Sequence, residues 1–455
     1  MEIHLIYRNR QFYKTAVSMM MPIACQNLVT IAVNAADMTM LGRLGETSIS
    51  AASLAGQYIN IFQIFCLGAG TGASILAARY WGMKELPSLR RTITIMLRMI
   101  LIVAGIFAGI ALILPGTVMR TYTSDVHIIA EGVQYLKYAV PSFFFYGLAQ
   151  TSTVILRSIR KVKLPLLISI GAFFLNIIGN YLLIFGKLGL PAMGIAGASL
   201  ATTIVRVIEC ILTLGYLLVI DQKIQYRFSH FFMSTKELVP EFFKISFPVL
   251  ISDGMMAFGN NMVMVIIGHM GEKYVAAYAV AAIVERLCTA WSSGVGHSSS
   301  VIVGNTLGEG KKEEAVRQGW AFLGLGIILG LLASFIVLVI RNPMIRLYRL
   351  SEETAGIAGE FLTASVFIVI FQAVGSIMTK GVLRGGGDTR VLMIVDNIFL
   401  WGISIPIGYV LGIHLGCPAF WVYCFLNIHH FCKSIWSVFR MKKDHWIHKI
   451  EAIKG

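Results

Sequence analysis

Met-Pro-Ile (21–23), Leu-Gly-Arg-Leu-Gly (41–45), Ala-Ala-Ser-Leu-Ala (51–55) and Ala-Ala-Arg-Tyr-Trp-Gly (77–82) belong to a stretch that the chain repeats, in the same order, about 226 residues later. Pro22 answers Pro248, Gly42 answers Gly268, Gly45 answers Gly271 and Gly82 answers Gly308. Farther on, Val-Ile-Leu-Arg (154–157) is echoed by Gly-Val-Leu-Arg (381–384), and each leads into a basic turn and another apolar run. Two homologous apolar halves point to a membrane transporter.

Composition excludes most other classes. Of 455 residues, 56% are hydrophobic and 13% charged, which no soluble domain sustains. About 12 apolar runs are long enough to span a bilayer, near 15–40, 49–78, 92–116, 128–156, 164–186, 195–220, 242–268, 275–303, 318–340, 355–383, 391–412 and 418–438. The expected fold is an all-α integral membrane protein of 12 transmembrane helices in two pseudo-symmetric lobes of six. No charged leader, short apolar core and small-residue cleavage site precede the first run, which therefore reads as mature sequence.

The basic residues give an orientation. The N-tail, the segments near 79–91, 157–163, 221–244, 311–317 and 380–390, and the C-tail hold about 27 of the 38 Lys and Arg, so both termini are expected on the cytoplasmic side of the cell membrane. The net charge of +15 is then mostly topological, dispersed over short loops that form no nucleic-acid module. Arg440, Lys442, Lys443 and Lys449, with Trp446 and Ile447, are expected to lie on anionic lipid headgroups. The polar stretch 221–241 divides the chain into an N-lobe (1–220) and a C-lobe (242–455).

Several patterns carry no chemistry. Gly68–Ala73 resembles a nucleotide fingerprint but lies in an apolar helix with no strand before it. Gly310-Lys311-Lys312 lacks the first glycine and the final Ser/Thr of a phosphate loop, which argues against an ATP-driven pump. The turn Gly385–Asp388 and the pair His429/His430 lack the neighbours of a metal centre. Six of seven cysteines (Cys25, Cys66, Cys210, Cys288, Cys424, Cys432) sit in apolar runs and read as packing residues. No catalytic constellation is found, so an enzyme is not expected.

Function then rests with polar groups placed where lipid penalises them. Asp37 ends the apolar first helix, beyond Pro22, which would bend that helix. Asn176 and Asn180 are four apart on one face of the fifth helix, and Thr202 follows the small-residue run Gly-Ala-Ser-Leu-Ala (197–201) on the sixth. A carboxylate, two amides and a hydroxyl form a hard-oxygen set suited to Na⁺, or to a proton on the carboxylate. Gln26 and Asn34 on the first helix, and Asp253 and Met256 after Pro248 on the seventh, are candidates for lining a substrate cavity. Methionine-rich runs such as Met19–Met21 suit a promiscuous wall. Glu209 with Arg206, Glu285 with Arg286, and Asp396 read as groups that are locally paired or near the membrane surface.

Met-Pro-Ile with Asp37 and Leu-Gly-Arg-Leu-Gly, Leu-Asn-Ile-Ile-Gly-Asn-Tyr-Leu-Leu-Ile-Phe-Gly (175–186), Gly-Ile-Ala-Gly-Ala-Ser-Leu-Ala-Thr (194–202) and Leu-Arg-Gly-Gly-Gly-Asp-Thr-Arg (383–390) resemble the multidrug and toxic compound extrusion (MATE) family of cation-coupled antiporters. That resemblance runs over about residues 12–440 and implies two six-helix lobes around a central cavity, opening alternately to either side. It implies efflux of small organic, often cationic, substrates driven by H⁺ or Na⁺ entry, with no other cofactor, by a functional monomer. Asp37, Asn176 and Thr202 match positions of the family's N-lobe cation site. Asn180 stands where some members carry aspartate, leaving one carboxylate here. Asp253 stands after Pro248 where the NorM-like branch has a glutamate at a longer spacing, and the repeat partner of Asp37 is Val263. A DinF-like arrangement, with coupling in the N-lobe, follows. The alternatives are a flippase for lipid-linked precursors, disfavoured by about 12 runs with few Lys or Arg inside them, and a membrane enzyme or receptor.

Overall fold

A computed structural model describes residue 7, residues 9–348 and residues 350–450. Among them, eleven helices are long and apolar enough to cross a membrane: α1 (Arg10–Gly42), α2 (Glu46–Met83), α3 (Leu86–Ile113), α4 (Val126–Ser158), α5 (Lys163–Phe185), α6 (Gly194–Ile220), α7 (Val239–Met270), α8 (Glu272–Gly308), α9 (Lys312–Leu347), α10 (Glu352–Leu383) and α11 (Thr389–His414). The twelfth apolar run is also helical, but in two pieces, α12 (Ala419–Leu426) and α13 (Ile428–Lys442). The break falls at Asn427, whose backbone leaves the helical region (φ −109°, ψ 9°) and whose side-chain amide adds a second bond (3.0 Å) to the Tyr423 carbonyl. That local bond competes with the helical ladder, as expected of asparagine.

The repeat is visible in backbone conformation. Gly45, just before α2, and Gly271, just before α8, have φ of +120° and +121°, a region that side chains strongly disfavour. Pro22 and Pro248 both lie inside continuous helices, α1 and α7, and each removes one backbone donor from its helix.

The chain packs as two compact units. Of the described residues, one unit comprises Cys25–Ala77 and Glu85–Ser246; the other comprises those up to Ala24, Ala78–Lys84 and those from Phe247 to Ile450. Lipid gives helices no hydrophobic reason to associate, so each unit is held by close packing and internal hydrogen bonds. In the first, Phe62, Phe107 and Phe143 interlock with ring centroids 5.0–6.4 Å apart, and Gly147 makes room for Ile100. The opposite face of α3 presents Ile102, Ile106 and Ile113, more than half exposed and spaced as one helical stripe, which is a lipid-facing surface. In the second unit, the rings of Phe361 and Tyr423 pack at a 36° tilt with centroids 5.0 Å apart, within a cluster that includes Val284 and Val337.

Repeat counterparts Gly82 and Gly308 meet in that second unit. A Cβ on Gly82 would lie 2.1 Å from the Asn305 carbonyl oxygen, and one on Gly308 would lie 2.3 Å from that of Arg79. Because backbone blocks both, Gly308→Ala is expected to lower stability by about 1–3 kcal/mol, the usual cost of overpacking, read as a fall in Tm in detergent. An alanine at Gly268, where nothing lies within 4 Å, should leave Tm unchanged.

The polar stretch after α6 is folded against α3 rather than loose. Arg90 donates to the Ile224 carbonyl at 2.9 Å, Arg98 to the carbonyls of Phe231 and Met233, and Arg91 pairs with Glu237 at 3.1 Å. Lys161 bonds the fully buried Asp221. The C-tail departs from expectation. Trp446 is fully buried over Gly386, and Arg440 and His448 converge on buried Asp388 at 2.7 and 3.1 Å. Arg79 closes the same turn by donating to the carbonyls of Gly385 and Gly386. Trp446 and Arg440 thus hold the 385–388 turn, because a buried carboxylate needs paired donors more than a lipid surface needs two further residues.

Candidate cation-binding site

Three helices of the first unit bring Asp37, Asn176, Asn180 and Thr202 into one hydrogen-bonded chain. Asp37 comes from α1, the asparagines from successive turns of α5, and Thr202 from α6, which approaches α5 closely because Gly197 admits the Leu183 carbonyl. The Asn180 amide donates to the Asp37 carboxylate at 2.5 Å and to Asn176 Oδ1 at 3.1 Å; the Asn176 amide in turn donates to Thr202 Oγ1 at 3.4 Å. Asn176 and Asn180 are both buried.

One atom in this chain stands out. Asn180 Oδ1 is buried and accepts no hydrogen bond. An orphaned buried acceptor costs about 1–3 kcal/mol unless a bound water or cation completes it. Here it sits on the residue that touches the only carboxylate of the cluster. The oxygens available to a cation are those of Asp37, Asn180 Oδ1, Asn176 Oδ1 and Thr202 Oγ1, all hard donors that suit Na⁺. One turn beyond Thr202, Arg206 pairs with Glu209 at 2.6 Å and lies over the Tyr146 ring at 5.0 Å, so the charges of that pair cancel and Asp37 is the carboxylate left over.

The other candidates lie elsewhere. Gln26 is buried in a separate network, accepting from Arg157 at 2.5 Å and donating to Ser169 at 3.3 Å. Asn34 is exposed one turn before Asp37. Asp253 and Met256 belong to the second unit. Asp253 is clamped by Arg384 in a two-point fork at 2.7 and 3.1 Å, and the Met256 sulfur lies 3.3 Å from the Lys433 ammonium.

Around Asp253 the second unit holds an ionic network that the sequence did not reveal. Lys433 pairs with Asp396 at 2.8 Å, and Ser252 donates to the same carboxylate at 2.8 Å. Neither Asp396 nor Glu285 is paired locally as expected: Asp396 reaches Lys433, and Glu285 accepts from the Tyr423 hydroxyl at 3.1 Å instead of meeting Arg286. Four cations are held in these networks, Arg206 and Lys433 from within α6 and α13, Arg157 from the last turn of α4 and Arg384 from just past the end of α10. The signal that could have found them is the repeat. Arg157 and Arg384 are counterparts, and so are Gln26 and Ser252, so a polar layer in one half announces one in the other.

A model of the MatE family matches residues 22–182 and again residues 248–410, one match in each half. The chain belongs to the MatE family of membrane transporters. It is similar to the multidrug resistance protein NorM of Burkholderia vietnamiensis, 27% identical over 420 residues that cover 88% of this chain and 87% of that protein. It is also similar to the uncharacterized transporter YisQ of Bacillus subtilis, 20% identical over 434 residues, 95% and 94% of the two chains. Among solved structures, an outward-facing multidrug resistance MATE transporter of the MOP superfamily superposes with a TM-score of 0.86 at 17% identity, covering 96% of this chain and 98% of its own. A MOP superfamily transporter from Pyrococcus furiosus gives 0.85 at 17%, covering 95% and 97%. The fold is therefore the all-helical MATE fold, and a MatE member is a transporter, not an enzyme.

Proposed function

We propose that this MatE protein is a secondary active antiporter that exports small organic, often cationic, compounds in exchange for H⁺ or Na⁺. The observation that carries the proposal is the Asp37 cluster, a single carboxylate joined to Asn180, whose own carbonyl oxygen is buried without a partner. Such a set has a charge of −1, which one monovalent cation neutralises and a divalent ion would overshoot. A proton on Asp37, or Na⁺ shared with Asn180, Asn176 and Thr202, meets that need equally well. A cationic substrate competes for the same charge, and competition couples the two flows by shifting the population between states. The multidrug name of the NorM relatives supports the substrate class; the site in the first unit supports coupling through Asp37.

Rocking of the two repeat lobes about their pseudo-twofold relation would supply alternating access, with the bend at Pro22 transmitting cation binding along α1. In this reading the protein acts as a monomer in the cytoplasmic membrane with both termini inside, consistent with the bias of Lys and Arg between its loops.

Uptake of a fluorescent organic cation into inverted vesicles tests the proposal. Uptake driven by an imposed pH gradient alone identifies H⁺, and uptake driven by a Na⁺ gradient alone identifies Na⁺. Movement under neither gradient, with translocation of a labelled lipid, would replace the antiporter with a flippase. Asn180→Asp adds a second carboxylate to the cluster, and the apparent Na⁺ affinity for driving uptake should then rise about tenfold or more, equivalent to ~1.4 kcal/mol. Unchanged Na⁺ dependence in that variant would remove Asn180 from the site.

A further inference from the structure

At the end of α9 remote from Lys312, a cavity of about 410 Å³ opens between α9, α10 and the start of α12. Arg341 and Asn342 line it from α9, Gly356, Glu360 and Thr363 from α10, and Phe420 from α12. Arg341 donates to Thr363 Oγ1 at 3.1 Å, while one Glu360 oxygen accepts the Phe420 backbone N–H at 2.9 Å. Among the described residues neither charged group has another partner, and the two do not pair with each other. The cavity thus holds one positive and one negative group not paired with each other, with Gly356 contributing no side chain to fill it.

Depth and surroundings narrow what fits there. Arg341 is where the apolar run of α9 ends, the level at which headgroups begin. Each wall continues along the same helical face into exposed apolar side chains. On α9, Phe335 (62% exposed) and Leu338 (51%) precede Asn342 by seven and four residues; on α10, Phe367 (57%) follows Glu360 by seven and Thr363 by four. A polar cavity of mixed charge leading into two apolar stripes matches a lipid with a zwitterionic headgroup.

We propose that this cavity binds phosphatidylethanolamine. Its phosphate takes the free N–H groups of Arg341 and the Asn342 amide, its ammonium takes the unused oxygen of Glu360, and its acyl chains run along Leu338 and Phe335 on one side and Phe367 on the other. An anionic lipid such as phosphatidylglycerol satisfies Arg341 but leaves Glu360 facing a second acid. Phosphatidylcholine keeps both charges but has no ammonium N–H to donate.

Native mass spectrometry of the delipidated full-length protein, titrated separately with the three lipids, tests this. The expected result is one tightly retained phosphatidylethanolamine, with phosphatidylglycerol and phosphatidylcholine each retained about tenfold less. Arg341→Gln and Glu360→Gln should each abolish that preference, while the thermal transition in detergent shows that both variants are folded. Equal retention of the three lipids, or an unchanged preference in both folded variants, would overturn the proposal. So would displacement of the lipid by millimolar inorganic phosphate, which would mark the cavity as a site for free phosphate.

Discussion

In an Asp37→Asn variant, gradient-driven uptake of an organic cation into inverted vesicles should fall to the level of empty vesicles, while expression, membrane insertion and Tm stay close to wild type. Asparagine matches aspartate in shape and still offers an oxygen to the Asn180 amide, so the chain from Asp37 through Asn180 and Asn176 to Thr202 survives. What is removed is the only charge of the cluster, and with it the capacity to bind either a proton or Na⁺. Passive exchange of the dye down its own gradient should persist, because it needs the pathway and not the charge. Wild-type uptake in the variant would refute coupling through Asp37, and Asp253 or Asp396 would become the groups to test.

The second large effect is on stability. Arg384→Ala should lower stability by about 3–5 kcal/mol, because the fork that holds Asp253 disappears and a carboxylate is left buried without compensation. The same logic gives the control. Removing both charges, with Asp253→Asn and Arg384→Ala together, should recover much of that loss, since the buried carboxylate no longer lacks a partner. Thermal unfolding in detergent measures all four corners of this double-mutant cycle. If the double variant is no better than Arg384→Ala, the pairing with Asp253 is not what Arg384 supplies.

Different features were legible in the sequence to different depths. Helical spans were legible, because a run of about 20 apolar residues is too long for an ordinary core helix and matches the thickness of a bilayer. The doubling was legible to the single residue, as the matched φ of Gly45 and Gly271 shows. The four residues of the Asp37 cluster could be gathered because two of them share a face of α5 and the family resemblance supplied the others. Long-range ionic contacts were not legible. Asp253 and Arg384 are 131 residues apart, and periodicity says which face of a helix is polar but not which other helix meets it. The tail was misjudged for a related reason. Basic residues beside a tryptophan read as a lipid-surface segment, and only the buried Asp388 shows what those cations answer. Asn427 was invisible as a break, since one asparagine in an apolar run is common inside helices that stay whole.

Gly82 and Gly308 touch, and each is the other's copy. A residue in contact with its own duplicate is what a twofold dimer makes at its axis, where one surface must fit itself. In a dimer of two identical chains, a single substitution at such a glycine would place a clash on both sides of the axis at once. In one chain that carries both halves, either copy of a position can change alone. Asp37 and its repeat counterpart Val263 differ in this way. The Asp37 cluster is built in one half only, and the other half builds the Asp253–Arg384 pair from the same plan.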